Sequence, residues 1–233
     1  CVSDFLASCT SATTVSTDGA GQSVSGTATD VYDQSASTSV SPINIDTVAP
    51  SIAGVATTAP NGAGWYNAPV AIHWNCSDAL SGFAAGGCPA NSTLSSEGPA
   101  VSTSQSATDK AGNSASGSSE TVKIDLTAPS TGASSAPTWS NTSVPVTLSP
   151  TDGLSGVAST TYEIDGGVTQ SGTTAVVSGE GTHTLTYRSI DVAGNVEATN
   201  TTTVRIDLSA PSITAHVSPA ANANGWHNGP VTV

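Results

Sequence analysis

A chain of 233 residues has room for one or two average domains. Only 9 % of its residues are charged, 17 acidic against 4 basic, for a formal net charge of -13. Nucleic acid needs Lys and Arg to neutralise its phosphates, so it is not an expected partner, and an anionic membrane surface is disfavoured on the same grounds. No run is apolar for long enough to span a membrane and no signal peptide is present, so membrane insertion of this stretch is not expected.

Taken in order, the chain repeats itself. Ile45-Asp46-Thr47-Val48-Ala49-Pro50-Ser51 returns as Ile124-Asp125-Leu126-Thr127-Ala128-Pro129-Ser130 and again as Ile206-Asp207-Leu208-Ser209-Ala210-Pro211-Ser212, the prolines 79 and 82 residues apart. A period near 80 is too long for a helical solenoid unit and long enough for each copy to hold its own small core. The boundaries follow: a partial copy over 1–46, complete copies over 47–126 and 127–208, and the start of a further copy over 209–233. The chain reads as a piece of a longer array. Asp4, Asp78 and Asp152 correspond, as do Asp30, Asp109 and Asp191; Asp46, Asp125 and Asp207; and Asp18, Glu97 and Glu180. Twelve of the 17 acidic residues therefore sit at repeated positions, and the acidity belongs to the repeat.

The second copy opens with Ile52 and the turn-rich Ala59-Pro60-Asn61-Gly62, then Gly64-Trp65-Tyr66-Asn67. Val70, Ile72 and Trp74 alternate with Ala71 and His73, which predicts a half-buried strand. In the third copy Val144, Val146 and Leu148 repeat that strand, and Tyr162 and Ile164 alternate ahead of an Asp165-Gly166-Gly167 turn. Val176 and Val177 mark another strand. Leu185 and Tyr187 then share one face of 182–188, and Val204 and Ile206 one face of the last strand. Asp191-Val192-Ala193-Gly194-Asn195 predicts a turn whose glycine takes a positive φ. No stretch carries a helical period. Short strands with frequent turn signals predict an all-β chain of tandem immunoglobulin-like β-sandwiches, about seven strands per copy.

The order Asp152-Gly153-Leu154-Ser155-Gly156, Tyr162-Glu163-Ile164-Asp165-Gly166-Gly167, Gly181-Thr182-His183-Thr184-Leu185-Thr186-Tyr187, Asp191-Val192-Ala193-Gly194-Asn195, then the Ile-Asp-x-x-Ala-Pro joint, resembles the bacterial immunoglobulin-like surface repeats. These include the type known as outer-membrane-protein β-barrel-domain repeats. The second copy keeps Asp78-Ala79-Leu80-Ser81-Gly82 and Asp109-Lys110-Ala111-Gly112-Asn113 but lacks the Tyr-x-Ile-Asp-Gly-Gly hairpin. The first has Asp30-Val31-Tyr32-Asp33-Gln34 where the Ala-Gly-Asn turn belongs, a departure in its turn. The resemblance implies tandem modules of an exported protein: an adhesin, a stalk, or a spacer beside a secreted hydrolase.

Cys1 and Cys9 occupy the part of the first copy that Cys76 and Cys88 occupy in the second, and the third copy has neither. Of three pairings open to four cysteines, the repeat selects Cys1–Cys9 and Cys76–Cys88. Disulfides imply an oxidising, extracellular or cell-surface location. The rival readings are a four-cysteine zinc site, which lacks CxxC spacing, and unpaired buried thiols. The aspartates read first as turn caps, since a carboxylate ahead of a Gly-Asn turn accepts from its N–H groups. The functional rival is calcium, which takes six to eight oxygens; Asp46, Asp125 and Asp207 lead the candidates, with Asp78, Asp109, Asp152 and Asp191 behind them. Trp65, Trp139 and Trp226 hold one repeated position, which favours packing against the sandwich or a neighbouring copy over stacking on a glycan. No nucleophile elbow occurs and no two histidines share a repeat position, so no enzyme is expected. The expected function is a semi-rigid stalk or spacer with weak adhesive contacts to a surface protein or glycan. The alternatives are a carbohydrate-binding accessory region of a secreted glycoside hydrolase and a calcium-stiffened adhesin rod.

Overall fold

The computed structural model describes residues 1–2 and 4–233, and among them there is no helix. The described residues form eighteen strands in antiparallel and short parallel pairings, and the chain divides into two compact units. The first holds 1–128 with the loops 153–156 and 191–195; the second holds 129–152, 157–190 and 196–233.

In the first unit, β1 (Leu6–Cys9), β2 (Gly19–Asp30) and β3 (Ser35–Ile45) make a sheet of that order. The second copy follows with β4 (Ser51–Ala56), β5 (Trp65–Tyr66), β6 (Val70–Ser77), β7 (Ser92–Leu94), β8 (Gly98–Val101), β9 (Ser104–Thr108), β10 (Ser114–Ser118) and β11 (Val122–Ile124). Sheets β4-β6-β7 and β5-β11-β8 enclose a core of Val70, Ile72, Trp74, Leu94, Val122 and Ile124, while β9 and β10 pair apart as a hairpin. In the second unit, β12 (Ser130–Ala133), β13 (Val144–Thr151) and β16 (Thr174–Val177) form one sheet. The other runs in the order β15 (Gln170–Ser171), β14 (Val157–Ile164), β17 (Gly181–Asp191), β18 (Asn200–Ile206). Between them lie Val144, Val146, Leu148, Tyr162, Val177, Leu185, Tyr187, Val204 and Ile206, the apolar positions of the predicted alternation. The third copy thus has seven strands, as its periodicity predicts. Both copies are all-β, immunoglobulin-like sandwiches.

The second copy replaces one structural device with another. Where the third copy lays down β14 and β15, the second has a loop closed by the Cys76–Cys88 disulfide, with Cys88 packed against the core. A cross-link there restricts a segment that is otherwise tied by the isolated Phe83–Asp109 bridge and by Thr108 N and Lys110 N donating to the Gly87 and Gly82 carbonyls. Cys1 and Cys9 are bonded as well, and no cysteine among the described residues is free. Inside the third sandwich a buried polar cluster stands where the second copy is apolar. Counting from the joint aspartates, Thr131, Ser189 and Glu197 replace Ile52, Ala107 and Ala115. The Glu197 carboxylate accepts from Thr131 N (2.6 Å), Thr131 Oγ1 (2.6 Å), Ser189 N (2.9 Å) and Asn200 Nδ2 (2.7 Å). Burial disfavours the charged form, but the donors from Thr131, Ser189 and Asn200 outweigh it and hold Glu197 below its ordinary value.

The tryptophans depart from expectation. Trp65 is half-buried in β5, with the Lys123 ammonium 5.7 Å from its ring. Trp139 and Trp226 are 55 % and 74 % exposed, against the packing that the repeat implies. The reason is local: Trp65 lies in a strand paired with β11, whereas Trp139 lies just outside a strand and Trp226 in a segment whose only bridge is Ser218 with Thr232. Trp74 is a core residue, matched to Gly54 across the sheet, as Leu148 is to Ala133.

That matching is testable. A Cβ on Gly54 would lie 2.8 Å from Ile72 Cγ2 and 2.9 Å from Trp74 Cζ3. Gly54→Ala is expected to cost about 1–3 kcal/mol of overpacking, and Trp74→Leu in the same chain to recover part of it, in a double-mutant cycle followed by chemical denaturation.

A second test uses pH. His183 donates from Nδ1 to Asp165 Oδ2 (2.7 Å) and faces the Gly179 carbonyl through Nε2 (3.2 Å), so both ring nitrogens meet acceptors. The Asp165 bond, then the Gly179 carbonyl, raise the imidazole above its ordinary value. A raised folded value stabilises fully below the unfolded pKa of about 6.5 and is lost as pH rises through the folded one. The difference in melting temperature between the natural chain and His183→Gln is therefore expected to shrink as pH rises through and beyond 7.

Candidate functional site at the joints

The Ile-Asp-x-x-Ala-Pro joint is built from both sides. Proline fixes φ and removes a donor, and it pushes the residue before it toward extended backbone, so the strand stops and the chain leaves in a restricted direction. Pro50 and Pro129 are both buried.

From the preceding copy, an acidic side chain caps the joint. Asp18 accepts from Thr47 N (2.9 Å) and Thr47 Oγ1. Glu97 accepts from Leu126 N (2.5 Å) and Thr127 Oγ1 (2.9 Å), and Glu180 from Ser209 Oγ (2.7 Å). This is the fourth repeated acidic set. Its spacing is visible in the sequence, but its role is not, because the partners are 29 residues away.

From the following copy, two donors reach the joint aspartate. Asp46 Oδ2 accepts from Ser81 N (3.0 Å), and the Asp46 carbonyl accepts from Asn113 Nδ2 (3.0 Å). Asp125 repeats both bonds with Ser155 N (2.9 Å) and Asn195 Nδ2 (2.9 Å). Asp125 is fully buried. The asparagine also holds its own turn: Asn113 Nδ2 donates to Asp109 Oδ2 (2.8 Å) and Asn195 Nδ2 to Asp191 Oδ2 (2.7 Å). The last residue of the Asp-x-Ala-Gly-Asn turn is thus a coupling residue, which the sequence reading took only as a turn former.

Three of the predicted aspartate sets meet here. Asp46, Asp78 and Asp109, all in the first unit, each offer a carboxylate oxygen, these atoms lying within 4.8 Å of one another. Among the described residues Asp207 joins no such group: it is exposed and caps Ser209 N (3.0 Å). Asp78 and Asp109 also do turn work. Asp78 Oδ1 accepts from Leu80 N (3.2 Å) and Gly82 N (2.6 Å), and Asp109 Oδ1 from Asn113 N (2.9 Å). Ser81, through its hydroxyl and its N–H, together with Val48 N–H, holds the Asp46 carboxyl below its ordinary value against a smaller opposing effect of desolvation. Among the described residues, no Lys or Arg forms an ion pair with Asp46, Asp78 or Asp109.

The first copy builds the same turn despite its different residues. Asp30 Oδ1 accepts from Tyr32 N and Gln34 N (both 2.9 Å), and Asp33 takes φ 65°, where Gly112 and Gly194 take 96° and 102°. Aspartate is among the few non-glycine residues that tolerate this conformation.

Removing the coupling donor should loosen the joint. Asn113→Ala leaves the Asp46 carbonyl and one Asp109 oxygen without their side-chain donor, at an expected cost of about 1–3 kcal/mol in denaturant unfolding.

No protein-family model matches the chain, and no curated protein matches it. Among solved structures, it is similar to fibronectin(III)-like modules of Clostridium thermocellum CbhA, at 8 % identity and a TM-score of 0.34, over 72 % of this chain and 100 % of that one. It is also similar to a structure described in terms of host cell surface retention of a 1.5-MDa bacterial ice-binding adhesin, at 17 % identity and a TM-score of 0.34, over 80 % of this chain and 74 % of that one.

Proposed function

We propose that the chain is a non-catalytic run of immunoglobulin-like modules serving as an extracellular, semi-rigid spacer. The observation that carries this reading is the doubly held joint. A linker of a few residues is fixed by a carboxylate from the copy before it and by an amide and an asparagine from the copy after it, so it has little freedom to act as a flexible tether. Two disulfides fit an oxidising compartment. A non-catalytic role is supported by where the reactive groups lie: the buried hydroxyls of Thr131, Thr160 and Ser189 bond to one another or to Glu197, away from any substrate.

The second reading, a calcium-stiffened joint, is favoured by the Asp46, Asp78 and Asp109 group. Two oxygens on opposite sides of a calcium ion lie roughly 4.6–5.2 Å apart, and oxygens within 4.8 Å of one another match that span. A bound calcium ion would offset two of the three negative charges of the group and join the joint to two loops of the following copy. The carbohydrate-binding alternative draws only on the exposed Trp139 and Trp226.

One experiment separates these readings. Spin labels at Thr38→Cys and Ser102→Cys report the distance across the Asp46 joint. A spacer gives a narrow distribution that Asn113→Ala broadens; a distribution as broad as that of a Gly/Ser linker would refute the spacer. If chelator broadens the distribution and lowers Tm by several degrees, with calcium restoring both, the ion belongs to the joint. Indifference to chelator retires the calcium reading and leaves the spacer standing.

A further inference from the structure

We propose that a glutamate carboxylate in each complete copy acts as a mechanical clamp, tying the first strand to the stretch just ahead of the last strand. In the third copy the clamp is Glu197. It binds Thr131 at the main chain and at the hydroxyl, and Asn200 at the start of β18. Thr131 is the second residue after Pro129, where the chain enters the sandwich from the joint, and β18 leads without interruption into Ile206 and Asp207. Tension applied at the two joints passes from 131 through the carboxylate to 197, and then along the covalent chain of β18. Ser155 and Asn195, through Asp125, and Ser140, through Arg205 and Asp207, share the load with the clamp, and residues 132–196 are released only when it breaks.

The second copy makes the same connection from a different position. The Glu120 carboxylate accepts from Ala56 N in β4, Glu120 N donates to Gly54 O (3.0 Å), and Gly54 bridges Ser119. Glu120 stands five residues before the joint aspartate and Glu197 ten before it. The two glutamates are therefore not a repeated residue, yet they close the same loop, 57–119 in one copy and 132–196 in the other. They differ in surroundings. Glu197 is 9 % exposed, with four protein donors, whereas Glu120 is open to solvent, where screening weakens a charged contact. The buried clamp should be the stronger.

A further feature distinguishes the copies under load. Cys76 and Cys88 are 12 residues apart and lie within the protected stretch of the second copy, so their disulfide withholds roughly 40 Å of extension. The third copy, with no disulfide, releases about 65 residues, roughly 220 Å. Step length therefore identifies the copy, and reductant lengthens the shorter step.

The inference deepens the spacer reading, since it supposes an array under tension. It fails separately, however, because it concerns resistance within one copy and the label distance concerns the joint between copies. The test is single-molecule pulling of the 233-residue chain from its ends at constant force. Glu197→Gln is expected to shorten the lifetime of the longer step by about tenfold and leave the shorter step unchanged. Glu120→Gln is expected to change the shorter step by less than that. Should Glu197→Gln abolish the longer step by unfolding the copy, Thr131→Val removes the hydroxyl and keeps the main-chain donor, with an expected shortening of about threefold. The proposal is overturned if lifetimes under force are unchanged. It is also overturned if the variants lose no more under force than in force-free unfolding by denaturant, because a carboxylate that merely stabilises the fold gives that result.

Discussion

A carboxylate denied water must be met by N–H and O–H groups, and in this protein that requirement organises the structure. Asp125 has no exposed surface, so its oxygens depend on Thr127 N and Ser155 N. The donors come from the joint itself and from a loop 30 residues ahead. Satisfying one buried charge therefore fixes where the following copy's Leu-Ser-Gly loop lies. Asn195 adds the main-chain carbonyl of the same residue to the same demand. The first joint repeats the arrangement at Asp46 with Ser81 and Asn113, in a less buried setting.

The economy of charge in the chain follows from this. Lysines and arginines are few, and among the described residues the one acid–base side-chain contact within ion-pair distance is His183 with Asp165. The carboxylates are met instead by amides and hydroxyls. They cap turns at Asp78, Asp109 and Asp191, the joint at Asp18 and Glu97, and the first strand at Glu120 and Glu197. Surface ion pairs contribute little on average, whereas a hydrogen bond to a charged group in a partly buried site contributes about 1.5–3 kcal/mol. An acidic chain rich in Ser and Thr is thus stabilised by local polar geometry more than by opposite charge.

The two complete copies also show how one sandwich tolerates different interiors. Trp74 faces Gly54 where Leu148 faces Ala133, so the larger side chain sits opposite the smaller partner, as close packing requires. At the end nearest the joint, the second copy uses Ile52, Ala107 and a disulfide-closed loop. The third uses Thr131, Ser189 and Glu197 with an additional hairpin. Each change is accompanied by its partner: a buried carboxylate appears only together with the hydroxyls and amides that satisfy it.

Much of this was legible in the sequence, because it depends on local period. The alternation of Val144, Val146 and Leu148, the Asp165-Gly166-Gly167 turn and the glycine of the Asp-x-Ala-Gly-Asn turn determine strands and turns through backbone sterics and burial alone. The meeting of Asp46 with Asp78 and Asp109, the reach of Asn113 to the joint and the capping of Thr47 by Asp18 were decided only by the tertiary structure. So were the exposure of Trp139 and the linkage of Thr131 to Glu197. Those pairs are 29 to 67 residues apart. A hydrogen bond depends on distances of tenths of an ångström, which repeat spacing does not encode until folding brings the loops of one copy against the end of another.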